Sequence, residues 1–186
     1  SAGKPSAEFV KTANASSGSS IGSNVALYPY SETARCTRLS TGDCRISGFE
    51  IPSVQPYSED SFSSGIFPMA AISSLDDDAF RFMNLCGVLK LQLKGNVPVR
   101  YVIVKGNAGE PLSGPVKATV YAGGQAPDIT MTSDAGDEVI LDCGEAGVML
   151  DQTKATPFLI VLPPTEFSSG FTVTVVGTDG GEMKLT

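Results

Sequence analysis

Apolar and polar residues alternate along much of this chain. Apolar side chains stand at every second position in residues 89–93, 116–120, 139–143 and 171–175. Because successive side chains of a β-strand point to opposite faces of its sheet, this alternation predicts strands with one buried face. Residues 99–104 are apolar at nearly every position, which predicts a central strand buried on both faces. No window shows the period of an amphipathic helix.

Glycine and proline separate these segments at short intervals. The chain holds 20 glycines and 12 prolines among 186 residues, and both residue types favour tight turns. Regularly spaced turns between short strands are typical of β-sandwiches, so we predict an all-β sandwich of about ten to twelve short strands. A single domain is expected over residues 25–186. Residues 1–24, rich in serine and glycine, predict a flexible N-terminal segment.

One strand pattern changes phase. Phe80 and Phe82 are apolar at even positions, whereas the apolar residues of 89–93 stand at odd positions. A shift of one residue turns a side chain to the other face of a sheet. The chain must therefore correct its phase between Asn84 and Val88, by a β-bulge or a break in the strand.

Composition and charge exclude several classes of function. The formal net charge is −7, and the lysines and arginines form no cluster of the kind that binds nucleic acid. Histidine is absent, which removes histidine-based catalytic triads and histidine metal ligands. No apolar run approaches the ~18 residues of a membrane-spanning helix. We predict a protein that is not an enzyme, with no catalytic, cofactor-binding or metal-ligating residues and no transmembrane segment.

The four cysteines fall into two groups. Cys36 and Cys44 flank residues 40–43, whose Ser-Thr-Gly-Asp sequence favours a turn. A hairpin here would bring the two sulfur atoms close enough for a disulfide. Cys86 and Cys143 lie within apolar strand patterns, and we interpret them as buried free thiols that pack as small hydrophobic residues. No C-x-x-C pair occurs, which argues against a zinc site.

The densest acidic cluster is a run of aspartates at residues 76–78. A calcium site is one interpretation. Consecutive carboxylates point apart in an extended segment, however, and the alternating spacing and the glycine of an EF-hand loop are missing. We therefore favour an exposed, solvated turn.

Residues 52–61 contain Pro52 and Pro56 and predict an extended loop. Four aromatic residues lie around the proline-containing segments: Tyr28, Tyr30, Tyr57 and Phe62. Aromatic rings on loops can stack on sugars, but such rings also plug the ends of a sandwich, which is the interpretation we favour. Tryptophan, the commonest sugar-stacking residue, is absent.

The last segment of the sequence predicts a strand at the edge of the sandwich. A hairpin turn at residues 179–181 leads into it, and its apolar residues alternate with charged ones. We expect it to pair with residues 171–176 and to bury one face. If the protein assembles by strand exchange, a partner strand would enter here or at the residues before Val25. The residues of this predicted strand-exchange edge are Gly181, Glu182, Met183, Lys184, Leu185 and Thr186.

Six short motifs occur in order along the chain. They are ALYPYS at residues 26–31, IPSVQPY at 51–57, FPMAA at 67–71, FRFMNLCGVLKL at 80–91, FLIVLPP at 158–164 and GFTVTV at 170–175. As an ordered set they resemble the fimbrillin-like (FimA/Mfa-type) surface lipoproteins of Bacteroides. The resemblance implies a transthyretin-like, Greek-key β-sandwich. It also implies an extracytoplasmic location at the outer membrane surface or in a fimbrium, with attachment only through a lipid anchor outside this chain. In related pilins a strand of one subunit completes the sheet of the next.

Two functional hypotheses of different classes follow. The first is a cell-surface protein, a fimbrial subunit or cell-adhesion lipoprotein, that binds other surface or pilus subunits or a host ligand through its sheet edges and loops. The alternative is a glycan-binding outer-membrane lipoprotein of a carbohydrate-uptake system, which the missing tryptophan disfavours. A hydrolase has the least support, because no general base accompanies the serines. Glycan binding without self-association would reverse the order of the first two.

Overall fold

The computed structural model describes residues 22–77 and 79–186. These residues form sixteen β-strands and no helix, so the fold is all-β, as the alternation predicted. The strands are β1 (Ser23–Tyr28), β2 (Arg35–Arg38), β3 (Cys44–Ile51), β4 (Val54–Ser58), β5 (Ser61–Phe62), β6 (Met69–Ser74), β7 (Met83–Asn84), β8 (Gly87–Leu93), β9 (Pro98–Gly106), β10 (Gly114–Val120), β11 (Asp128–Met131), β12 (Glu138–Asp142), β13 (Val148–Met149), β14 (Thr156–Leu162), β15 (Phe171–Gly177) and β16 (Glu182–Leu185). Strands β5, β7 and β13 have two residues each. Strands this short leave no pattern in a sequence, and they account for three of the four to six strands beyond the predicted number.

The first hydrophobic core lies between a four-stranded and a three-stranded sheet. Their strand orders are β11-β10-β3-β2 and β1-β6-β7. Ile46 of β3, Ala118 of β10 and Ala70 of β6 are buried in this core, and Val25 and Leu27 of β1 pack against it. The alternating apolar residues of these strands thus form the interior of a sandwich layer.

The second core lies between a seven-stranded sheet and a two-stranded one. The large sheet has the order β16-β15-β9-β12-β4-β5, with β13 also paired to β9, and the small sheet is β14-β8. Val102 and Val104 of β9, Leu141 of β12, and Phe158 and Ile160 of β14 are buried here. Seven strands face only two, so the small sheet covers part of the large one.

Strand β14 belongs to both cores. Phe158 and Ile160 are buried in the second core, whereas Val161 is buried in the first. Because adjacent side chains of a strand point to opposite faces, a single strand supplies both interiors. The run of apolar residues in β14 follows from this double burial.

The break in the strand predicted between Asn84 and Val88 is confirmed. Strand β7 ends at Asn84 and β8 begins at Gly87, with the buried residues Leu85 and Cys86 between them. Strand β7 pairs with β6, whereas β8 pairs with β14. The break therefore carries the chain from a sheet of the first core to a sheet of the second.

The alternation at Phe80 and Phe82 predicted a strand, and this prediction is wrong. Both residues precede β7 and lie outside any strand. Their rings contact each other, with centroids 6.2 Å apart. The alternating pattern at residues 80–82 therefore does not mark a β-strand.

The proline-punctuated segment 52–61 contains strands where the sequence predicted a loop. Strand β4 pairs in parallel with β12 at three positions, and β5 pairs with β4. Pro52 lies before β4 and Pro56 lies at the last of the three positions. The missing N–H groups of proline therefore remove little of this short ladder.

Candidate functional site

Strand β16 forms the outer edge of the large sheet. Val173 lies opposite Leu185, and Val175 lies opposite Met183, in antiparallel register. The turn before it is closed by the Gly177 N–H, which donates to the Gly181 carbonyl at 2.9 Å. The segment thus pairs with residues 171–176 as the sequence predicted.

The prediction that one face of this strand is buried is wrong. Met183 and Leu185 are 57% and 70% exposed, and Glu182 and Lys184 are exposed as well. Their cross-strand neighbours Val173 and Val175, on the same face, are only 6% and 8% exposed. The small sheet covers the β15 valines and does not reach β16. The alternation correctly predicted which face of β16 is apolar. The small sheet that would bury this face extends only as far as β15.

An apolar groove lies beside the exposed apolar side chains of β16. Met183, Val175 and Leu150 line it together with Val97 from the loop after β8, and its volume is about 300 Å³. The groove thus joins the uncovered face of β16 to the segment that follows β8.

The edge of β8 beside the groove is open. The Val161 N–H and carbonyl both bond to the Gln55 side chain, and therefore point away from β8. In an antiparallel pair the backbone groups of alternate residues point to opposite sides, and Val161 lies opposite Val88. The backbone groups of Val88, Lys90 and Gln92 consequently point to the unpaired side. No strand within residues 22–77 and 79–186 pairs with them.

The open edge lies on the β15–β16 side of the sandwich. On its other side, β14 contacts β4 and β5. An added strand at β8 would therefore extend the small sheet toward β16, where Met183 and Leu185 are exposed. It would gain main-chain hydrogen bonds from β8 and apolar contacts from β16, which are the two components of β-strand addition.

The two cysteines predicted to pair are joined. Cys36 in β2 and Cys44 in β3 form a disulfide, with Cα atoms 6.1 Å apart. The strands form a hairpin in which Leu39 N–H donates to the Asp43 carbonyl at 2.9 Å. The disulfide therefore links the edge strand β2 to the core strand β3.

The other two cysteines are free, Cys86 buried and Cys143 half-buried. Burial raises the pKa of each thiol to about 12. Because the thiolate is the reactive form, both thiols are poor nucleophiles near neutral pH. Within the described residues no group of three or more His, Cys, Asp and Glu side chains is placed to hold a metal ion.

The acidic cluster forms a turn after β6. The Ser74 N–H donates to the Asp77 carboxylate and the Asp76 N–H donates to the Ser74 hydroxyl, each at 3.2 Å. Asp76 and Asp77 are exposed, and residue 78 lies outside the described residues. The Asp77 carboxylate is thus already used in the turn.

The four aromatic residues divide between core and surface. Tyr57 packs on Phe158 with ring centroids 5.4 Å apart, and Phe62 packs edge-on against Phe67 at 4.8 Å. Tyr28 and Tyr30 are 40% and 83% exposed. The plug interpretation therefore describes two of the residues, and the other two remain available at the surface.

Sequence reasoning missed Gln55, whose hydrogen bonds to Val161 show which side of the small sheet is open. Its side chain is fully buried, yet it lies between two prolines in a segment that predicted a loop. Nothing in one sequence distinguishes a buried glutamine from an exposed one. The open edge of β8 was missed for a related reason, since pairing partners are set by the tertiary structure.

No family model, curated protein or solved structure matches this chain. Among the residues that the structure describes, no helix is long and apolar enough to cross a membrane.

Proposed function

We propose that this chain is a non-enzymatic cell-surface module that assembles or adheres by accepting a β-strand, as the fimbrillin-like resemblance implies. The proposal rests on the combination of two features: β8 has an open backbone edge, and β16 has apolar side chains that no other layer covers. An edge beside an apolar strip is a surface on which an extended segment is stabilised.

An extracytoplasmic location is part of the proposal. The Cys36–Cys44 disulfide supports it, because disulfides persist in oxidising compartments and are rare in the cytosol. The net charge of −7 suits a soluble surface module and opposes binding to nucleic acid.

The partner is an extended segment of another surface subunit or of a second copy of this chain. Its side chains should alternate, since one face would meet Met183 and Leu185 and the other would meet solvent. Lys90 and Lys94 are exposed at or just beyond β8, so acidic residues on the solvent face of the incoming strand would favour binding.

A proline at position 90 tests this proposal. The Lys90 N–H points away from β14, so Lys90→Pro removes one donor of the open edge and leaves the β8–β14 ladder paired. We expect the wild-type chain to self-associate with rising concentration, and Lys90→Pro and Leu185→Asp to weaken association by about tenfold or more. Analytical ultracentrifugation measures this directly.

Lys90→Ala is the matched control, because it removes the charge and keeps the N–H. It should associate nearly as the wild type does. A wild-type chain that stays monomeric at every concentration would refute assembly between copies. Lys90→Pro and Leu185→Asp variants that associate like the wild type would show that this edge takes no part.

A further inference from the structure

A second concavity lies where β3 and β10 of the four-stranded sheet meet the segment after β1. Its volume is about 580 Å³, within the ~300–1,000 Å³ of small-molecule sites. It shares no lining residue with the groove at β16. Its principal lining residues are Tyr30, Thr33, Gly48, Glu50, Pro52 and Pro115. We call this feature the Tyr30 cleft.

A β-bulge at Gly48 shapes the floor of the cleft. Ile46 lies opposite Ala118 and Phe49 opposite Val116, so two residues of β3 face the single residue between them on β10. Gly48 has a φ of +77°, a value that glycine adopts without the steric cost of a side chain. Bulges of this kind bend a strand and often lie beside binding sites.

The loop that carries Tyr30 is fixed on this bulge. The hydroxyls of Ser31 and Thr33 both donate to the Gly48 carbonyl at 2.7 Å. A Cβ at Gly48 would lie 2.0 Å from the Thr33 carbonyl oxygen, so only glycine permits this approach. The position of the loop next to Tyr30 is therefore set by three neighbouring contacts.

Prolines stiffen the remaining walls. Pro29, Pro52 and Pro115 all line the cleft, and each has a fixed φ. A wall that is already ordered loses little conformational entropy when a ligand binds. The cleft is thus preorganised, although it is open to solvent.

The chemistry of the lining fits a polyhydroxylated ring. Tyr30 presents a ring that is 83% exposed and free to stack on the C–H face of a sugar. The exposed Glu50 carboxylate makes no hydrogen bond or ion pair with the described residues. A carboxylate accepts hydrogen bonds from hydroxyls without donating any. The Tyr30 ring therefore complements the apolar C–H face of a sugar, and the Glu50 carboxylate complements its neighbouring hydroxyls.

We infer that the Tyr30 cleft binds a neutral saccharide, stacked on Tyr30 and hydrogen-bonded to Glu50. The lining contains no lysine or arginine and one carboxylate, so anionic sugars are repelled. At the cleft β3 is paired with β10, and its Gly48 carbonyl is already used by the Ser31 and Thr33 hydroxyls, which leaves an extended peptide less backbone to pair with. This inference goes beyond the proposed assembly function and does not depend on it.

A glycan array tests the inference. We expect the wild-type chain to bind neutral oligosaccharides and to ignore sialylated and sulfated ones. Calorimetric titration with the strongest neutral binder from the array then measures affinity. Tyr30→Ala and Glu50→Gln should each weaken binding by about tenfold or more. Both side chains are exposed, so neither substitution should unfold the protein.

Two variants serve as matched controls. Tyr30→Phe keeps the ring and should bind within about threefold of the wild type. Glu32→Gln removes an exposed carboxylate on the same loop, outside the lining, and should leave affinity unchanged. Lys90→Pro should bind the saccharide normally, and Tyr30→Ala should self-associate normally, so this inference and the assembly proposal fail separately.

Several results would overturn the inference. One is an array on which no neutral glycan binds. Another is a Tyr30→Ala variant with wild-type affinity. A third is binding of a polyproline peptide at the cleft, lost in Tyr30→Ala, with no glycan response.

Discussion

The Gln55 side chain makes the hydrogen bonds to Val161 of β14 that a neighbouring strand would otherwise make. Its amide oxygen accepts from the Val161 N–H at 2.9 Å, and its amide nitrogen donates to the Val161 carbonyl at 2.8 Å. These are the two hydrogen bonds that a neighbouring strand would make at one residue. They satisfy backbone groups of a strand that is buried at Val161. A single side chain therefore connects β4 of the large sheet to β14 of the small one.

Replacing Gln55 with leucine should be costly. Gln55→Leu keeps most of the volume but leaves the Val161 N–H and carbonyl without partners, at about 1–3 kcal/mol for each group. We expect the free energy of unfolding to fall by about 3 kcal/mol, measured by urea denaturation. Gln92→Leu, on the exposed face of β8, should change it by less than about 0.5 kcal/mol. Equal effects of the two substitutions would contradict the role of the bridge.

Strand β2 is held by its disulfide, by its ladder with β3 and by the Arg38 guanidinium, which donates to the hydroxyl and the carbonyl of Ser23. All four of its residues are exposed, and β3 is its only partner among the described strands. An edge strand of this kind buries little apolar surface and opens easily. The bond between Cys36 and Cys44 compensates by restricting the unfolded chain.

Reduction of this disulfide should lower stability measurably. Its cysteines are 8 residues apart in sequence, and closing a loop of that size is worth about 2.5 kcal/mol on the chain-entropy model. Urea denaturation with and without dithiothreitol should show a loss of that order. The Cys36→Ser variant provides the control, because its unfolding midpoint should not respond to the reductant. If reductant leaves the wild-type midpoint in place, the bond does not constrain the unfolded chain.

Strands with one buried and one solvent-exposed face were predictable from the sequence. Strands that form only because a distant segment pairs with them were not. Strands β8, β10, β12 and β15 follow the alternation because each has one face toward a core. Strand β4 was missed because its strand character depends on β12, which lies far away in the sequence. The exposure of Met183 was missed because the sequence of β16 does not show how far the small sheet extends over the large one. The sequence pointed to Tyr30 but not to Glu50, because the two residues line one cleft only through the bulge at Gly48.

Each of the two cores holds one free thiol. Cys86 is buried in the first core, and Cys143 packs against the second. Burial is the largest cause that raises the pKa of each thiol from 9.0 to about 12. The folded protein therefore keeps both protons at a pH where the unfolded chain loses them.

Stability should consequently decline in alkaline solution. Because the folded pKa lies above the unfolded one, the stabilisation is complete below pH 9.0 and is lost as the pH rises toward about 12. The urea midpoint should fall between about pH 8 and about pH 10, and fall less in the Cys86→Ala variant than in the wild type. An identical decline in both chains would show that the Cys86 thiol does not contribute.

The open side of β8 also restricts the symmetry of an assembly in which β8 accepts a segment from elsewhere on a second molecule. Gln55, β4 and β5 occupy the opposite side of the small sheet, so this sheet can gain a strand in one direction only. A contact in which β8 of one molecule receives a segment from elsewhere on the next uses two different patches, and is heterologous. Heterologous contacts do not form two-fold dimers; they close into rings or continue as rows with a direction, in which the first molecule has an empty acceptor and the last an unused donor.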